Sequence, residues 1–193
     1  MLVAMLGIDI RNIVMEMDIR TQILTLLGSV KRPGMDALLD FIESSDFFTV
    51  NCYGHHFIGK GGVAQHSMEV YDYMRSHNIL GLSEDSLILC SFTHDLGKTS
   101  QARRTFGGRH DQRSLSVIQH CGVPLSEAEQ TAILNHEPGW AYRAMKAATC
   151  PLYALLVAAD CHSTGTWKRE HADAVAQRRA RRAARHNHRR GRA

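Results

Sequence analysis

The sequence predicts an all-α fold, a compact multi-helix bundle. Three observations lead there. Apolar residues recur at helical spacing in segment after segment. Helix start and stop signals fall at the ends of those segments. No stretch alternates apolar and polar residues for long enough to make a sheet.

Taken in order, Asp18 is placed to cap a helix carrying Ile19, Ile23, Leu26 and Leu27, with Gly28 ending it. Pro33-Gly34 opens the next, with Leu38, Leu39, Phe41 and Ile42 on one side. Between Ser44 and Gly62 four glycines break the pattern and predict a loop, with Phe47 to Val50 as a short extended piece. Val63 begins a third helix that aligns His66, Val70, Tyr73 and Met74. Ser83, followed by Glu84 and Asp85, starts a fourth that runs through Leu87, Ile88 and Cys90 to His94 and Asp95. Leu96 to Arg109 reads as a polar, basic loop. A fifth helix covers about Asp111 to His120, closed by Gly122. Ser126 and Glu129 form a capping box for a sixth, reaching about His136 before Pro138-Gly139. Pro151 starts a seventh, LYALLVAAD, ending near Ser163.

The chain has 193 residues, 44% hydrophobic and 22% charged, values ordinary for a globular domain with a real core. No apolar run approaches the roughly 18 residues of a membrane span. Residues 1–17 read as an N-terminal extension without the basic start of a secretory signal, residues 18–167 as the domain, and 168–193 as a basic tail. That tail holds ten Lys or Arg against two acids, so the rest of the chain is mildly acidic although the net charge is +4. Five cysteines without a Cys-x-x-Cys pair argue against a disulfide framework and fit a reducing cytoplasm, as small core residues.

The chemistry lies in histidines and aspartates. A His-Asp pair means little alone: with 12 His in the chain, chance supplies about 0.7 such pairs, and there are two, His94-Asp95 and His110-Asp111. Context favours His94-Asp95. It ends the apolar stretch SLILCSFTHDLGK, with His66 upstream just inside a helix and Asp160 downstream closing LYALLVAAD. A carboxylate at the end of so apolar a helix is costly to bury unless a positive charge meets it, and a metal ion would.

The order His, His-Asp, Asp on three helices resembles the HD superfamily of metal-dependent phosphohydrolases. HHFIGKGGVAQHSMEVY is similar to an entry segment of one subgroup, FTHDLGK to the core motif, RHDQRS and AILNHE to the extra histidine pair of two-metal members, and LLVAAD to the last ligand helix. The resemblance spans roughly residues 20 to 165. It implies an HD-domain bundle and a divalent ion (Mn, Fe, Co, Ni, Zn or Mg) held by His66, His94, Asp95 and Asp160, with imidazole and carboxylate ligands that suit such ions. It also implies that Asp95 is catalytic and bridges a second ion on His110 and His136. With one ion, those two histidines would contact substrate phosphate instead.

Other residues have weaker claims. Lys98, just past the pair, is a candidate catalytic and phosphate-binding group, and Arg103, Arg104 and Arg109 lie where a loop would fold over an anion. His55 or His56, before the Gly-Gly turn, would bind substrate or protonate a leaving oxygen. Against each stands an ordinary role: charged loops are commonly just solvated, and a His at a helix C-terminus is favourable anyway. The expected substrate is a small phosphorylated molecule, a nucleotide in the first instance. Cyclic-nucleotide or RNA cleavage and a catalytically dead regulatory module are the alternatives. The tail offers nonspecific nucleic-acid contacts, or it is a solubilising segment.

Overall fold

A computed structural model of the protein describes residues 18–51, 61–137 and 149–170, with side chains as far as Ser163. Among the described residues there are eight α-helices and no strand. They are α1 (Ile19–Ser29), α2 (Met35–Ser44), α3 (Gly62–Ser76), α4 (Glu84–Thr93), α5 (Ser100–Thr105), α6 (His110–His120), α7 (Glu127–Asn135) and α8 (Pro151–Glu170). No helix among them is long and apolar enough to cross a membrane.

The organising element is α4. Every residue from Leu87 to Thr99 is buried, so this helix and the turn after it have no solvent face. Their hydroxyls are satisfied locally: Ser91 Oγ donates to Leu87 O, and Thr93 Oγ1 to Leu89 O at 2.6 Å. Helices α3, α7 and α8 pack around α4 and bury Val70, Met74, Ile133, Tyr153 and Leu156. Helices α1 and α2 close one side with Ile23, Leu27, Leu38 and Ile42.

The caps explain several boundaries. Asp18 accepts from the amides of Arg20 and Thr21 at 3.0 and 3.2 Å. Gly34 starts α2 at φ 78°, where an added Cβ would strike the backbone at Cys121 and Gly122. Ser126 and Glu129 form the expected capping box, and Glu129 also takes both arms of Arg32 at 2.8 and 2.9 Å and the Ser86 hydroxyl at 2.7 Å. This buried carboxylate ties α7 to the α1–α2 turn and to α4.

Four expectations need correction. Phe47 to Val50 is not extended, because the amides of Thr49 and Val50 turn back onto Asp46 O at 2.9 and 2.6 Å. The region 96–109 is not an open loop: a 3₁₀ turn, Leu96–Lys98, leads into α5, started by Thr99 Oγ1 accepting from Ala102 N at 3.2 Å. Gly28 does not end α1, which runs to Ser29. Helix α8 does not stop near Ser163 but continues to Glu170, past the expected domain boundary at 167. Of the described cysteines, Cys90 and Cys150 are buried as expected, whereas Cys161 is exposed.

Candidate metal centre

Five elements deliver polar side chains to one point. His66 comes from the second turn of α3, and His94 and Asp95 from the end of α4. His110 is the first residue of α6, His136 follows the last residue of α7, and Asp160 lies midway along α8. The six residues expected as metal ligands are therefore brought together, although 94 positions separate the first from the last.

Asp95 is the middle of the arrangement. On one side its Oδ2 faces His66 Nε2 at 3.7 Å and His94 Nε2 at 3.6 Å. There His66 Nε2 lies 3.2 Å from His94 Nε2 and 3.1 Å from Asp160 Oδ1. On the other side Asp95 Oδ1 faces His110 Nε2 at 3.4 Å and His136 Nε2 at 3.5 Å, and those two nitrogens are 3.0 Å apart.

The proton positions sharpen this geometry. His94 Nδ1 donates to Ser91 O at 2.8 Å and His136 Nδ1 to Ile133 O at 2.7 Å. A carbonyl only accepts, so Nδ1 carries the proton in both rings and, in the neutral ring, Nε2 presents a lone pair. Burial pushes His94 down to about 3, against the pull of Asp95, so at neutral pH it holds no second proton. Burial alone would lower His136, but the hydrogen bond and charge of Asp95 outweigh it and raise that ring. Burial also lowers His110. For Asp95 the desolvation cost is outweighed by Lys98, His94 and His136, which hold the carboxyl well below its usual range. Asp160 is likewise held low, by His66 above all, despite its burial.

His94 and His136 thus turn Nε2 lone pairs to the Nε2 atoms of His66 and His110 at 3.2 and 3.0 Å, close enough to share a proton or a metal ion. The spacing fits a cation: with bonds of about 2.1 Å, donors at right angles around an ion lie about 3 Å apart. Three trios have ligand atoms within 4.8 Å of one another, namely His66, His94 and Asp160; His94, Asp95 and His136; and His110, His136 and Glu137. Buried His/Asp groups within ligand distance can thus hold a metal ion.

The remaining expected site residues fare differently. Lys98 is buried with its Nζ 2.6 Å from Asp95 Oδ2, so its charge is matched to that carboxylate. Arg104 is exposed on α5, and Arg109 pairs with Asp111 at 2.7 Å. The second His-Asp dipeptide is therefore split in role, His110 facing the centre and Asp111 the structural ion pair. His55 and His56 lie outside the described residues, as does the tail after Glu170.

Three contributors were not singled out from sequence. Gly97 allows the start of α6 to close on the 3₁₀ turn, since a Cβ there would collide with His110 O and lie 2.8 Å from Ser114 N. Ser114 Oγ donates to His94 O at 2.7 Å and accepts from Gly97 N at 2.8 Å, riveting α6 to the end of α4. Glu137 places Oε2 3.8 Å from His110 Nε2 on the exposed rim. The available signals were a glycine directly after the His-Asp-Leu run and an acid directly after His136. No family model, curated protein or solved structure matches the chain.

Proposed function

We propose that the protein is a metal-dependent phosphohydrolase of the HD type, acting on a nucleotide or related phosphoester. The observation that carries this reading is the two-sided environment of Asp95: one oxygen toward His66 and His94, the other toward His110 and His136. In this reading His66, His94, Asp160 and Asp95 hold one divalent ion, and His110 and His136 share Asp95 to hold a second. Mn, Fe, Co, Ni, Zn and Mg all suit such nitrogen and oxygen donors. When bound, the ion supplies Lewis acidity, lowering the pKa of a water from about 15.7 to about 7 and drawing charge from a phosphoryl oxygen.

The chain's own residues do the rest. Asp95 keeps the two sides in register because its carboxylate is clamped by Lys98. Lys98 also adds a positive charge directly beside Asp95, which favours an anionic phosphoester at the centre. His66, His94, Asp95 and His136 are at most 1% exposed and wall the inner face from bulk water. His110, Asp160 and Glu137 have side chains 14, 17 and 44% exposed, so they form the rim by which a phosphoester enters. Two ions would favour a diester or cyclic nucleotide, one a nucleotide monoester. The cysteine content fits a reducing compartment such as the cytoplasm.

The test is the metal content of protein purified without chelators, beside Asp95→Asn, together with hydrolysis of a panel of nucleotide mono- and diesters. One or two transition-metal ions per chain, lost in the variant along with hydrolysis, is the expected result. A protein that holds no metal even after soaking in manganese would overturn the reading.

A further inference from the structure

The ring of His66 is oriented differently from those of His94 and His136. Those two use a backbone carbonyl three residues earlier in their own chain segment. His66 instead directs Nδ1 at the hydroxyl of Ser163, on another helix, at 3.0 Å. A hydroxyl can donate or accept, so by itself it leaves the tautomer of a histidine open. Ser163 is not left open, because its Oγ lies 2.7 Å from Glu69 Oε2, and a carboxylate only accepts. The Ser163 proton therefore goes to Glu69. What remains to Ser163 is a lone pair, and His66 must donate to it through Nδ1–H.

The four residues form a square across two helices. His66 and Glu69 are one turn apart on α3, and Asp160 and Ser163 are one turn apart on α8. His66 Nε2 meets Asp160 Oδ1 at 3.1 Å while His66 Nδ1 meets Ser163. Ser163 is 1% exposed, so water does not compete for its hydroxyl. The same α3–α8 contact that delivers Asp160 thus also sets the proton of His66.

We propose that Glu69 and Ser163 are positioning residues: a Glu69–Ser163–His66 relay holds His66 with its proton on Nδ1 and its Nε2 lone pair turned to a divalent cation shared with His94 and Asp160. The proton on Nδ1 stands on the Ser163 hydrogen bonds, whereas an Nε2 that offers its lone pair to a cation, rather than a proton to Asp160 Oδ1 at 3.1 Å, rests on the metal reading above. Hydrogen bonds of this kind behind a ligating His are worth about 10–100-fold in metal affinity.

The experiment is nitrogen-15 imidazole spectroscopy of the metal-free full chain, with His66 assigned by its loss in His66→Asn, followed by cobalt(II) titration. The wild type is expected to show His66 protonated on Nδ1. Ser163→Ala should deplete the proton on His66 Nδ1 and weaken cobalt binding at the His66 side about 10–100-fold. Glu69→Gln should do so to a smaller degree, and Ser163→Thr, which keeps the hydroxyl, should restore both readouts. Thermal melts of the metal-free variants close to wild type separate positioning from folding. A His66 that stays protonated on Nδ1 in Ser163→Ala with unchanged cobalt affinity overturns the relay, and so does a wild-type His66 with no proton on Nδ1. A wild type that binds no cobalt would overturn the metal reading instead, and the tautomer spectra would still decide the relay.

Discussion

The two sides of Asp95 each present two imidazoles and a further carboxylate, Asp160 on one and the more exposed Glu137 on the other, but their supports differ. The His66 side is built from the interiors of α3 and α8 and the end of α4, and its ring protons are fixed by a buried serine and a buried carbonyl. The His110 side is built from helix ends, the first residue of α6 and the residue after α7. It is partly open to solvent and depends on Gly97 to let α6 approach. Helix interiors are held by packing on every turn, while helix ends fray. The comparison teaches that donor type alone does not rank two sites. The first should bind its ion more tightly and keep it longer.

The sharpest way to break that ranking is to remove one imidazole from each side. His66→Ala should abolish tight binding at its own side, leaving at most a weakly held ion. His110→Ala should leave one ion per chain in place. Isothermal titration with manganese on the two variants checks this, and equal losses would refute the ranking.

A subtler change attacks the support rather than the donor. Gly97→Ala puts a methyl against His110 O and the Ser114 amide, so α6 must shift. Overpacking of this kind costs about 1–3 kcal/mol. Denaturant unfolding should show that loss, and the displaced His110 should cost the second ion before the first.

The smallest expected effect concerns the start of α7, the helix that ends at His136. Glu129 is shifted down to about 2 from 4.5, because Arg32, Ser86 and the Ser126 amide together outweigh its burial. A carboxyl lowered on folding adds stability that is fully present above its unfolded value of 4.5 and is lost as pH falls toward 2. Discounted for solvent screening, the contribution is about 2 kcal/mol. Glu129→Gln should therefore lower stability at pH 7, with the difference from wild type vanishing near pH 2 in urea melts. A gap that persists at pH 2 would show that Arg32 holds α7 by shape rather than charge.

Much of the centre was legible in the sequence for a physical reason. A histidine or carboxylate directly after a strongly apolar stretch, as at His94-Asp95 and Asp160, is a costly placement that needs a cause. His66, placed just after a Gly-Gly turn, and His136 were reached through the resemblance of HHFIGKGGVAQHSMEVY and AILNHE to family motifs. The helices were legible through spacing and caps, as Asp18 and the Ser126–Glu129 box illustrate. Ser163 and Glu69 were not, because a serine and a glutamate on helices are ordinary until a partner 97 or 94 residues away gives them a direction. Helix α5 was hidden because its six residues carry charge without an apolar stripe. Lys98 was found as a cation near the pair, but its contact with Asp95 depends on the 3₁₀ turn, which no periodicity announces.

The thirteen-residue stretch from Leu87 to Thr99, buried without interruption, bears on how such a protein can diversify. Almost any replacement there disturbs packing, so the segment carrying His94, Asp95 and Lys98 has little mutational freedom. Novelty has to come from the periphery: exposed positions such as Arg104 and Glu137 can change without a folding cost. A lineage built on this chain could retune what it accepts while the inner carboxylate and its lysine stay frozen, because the architecture gives the rim room to vary and gives the interior almost none.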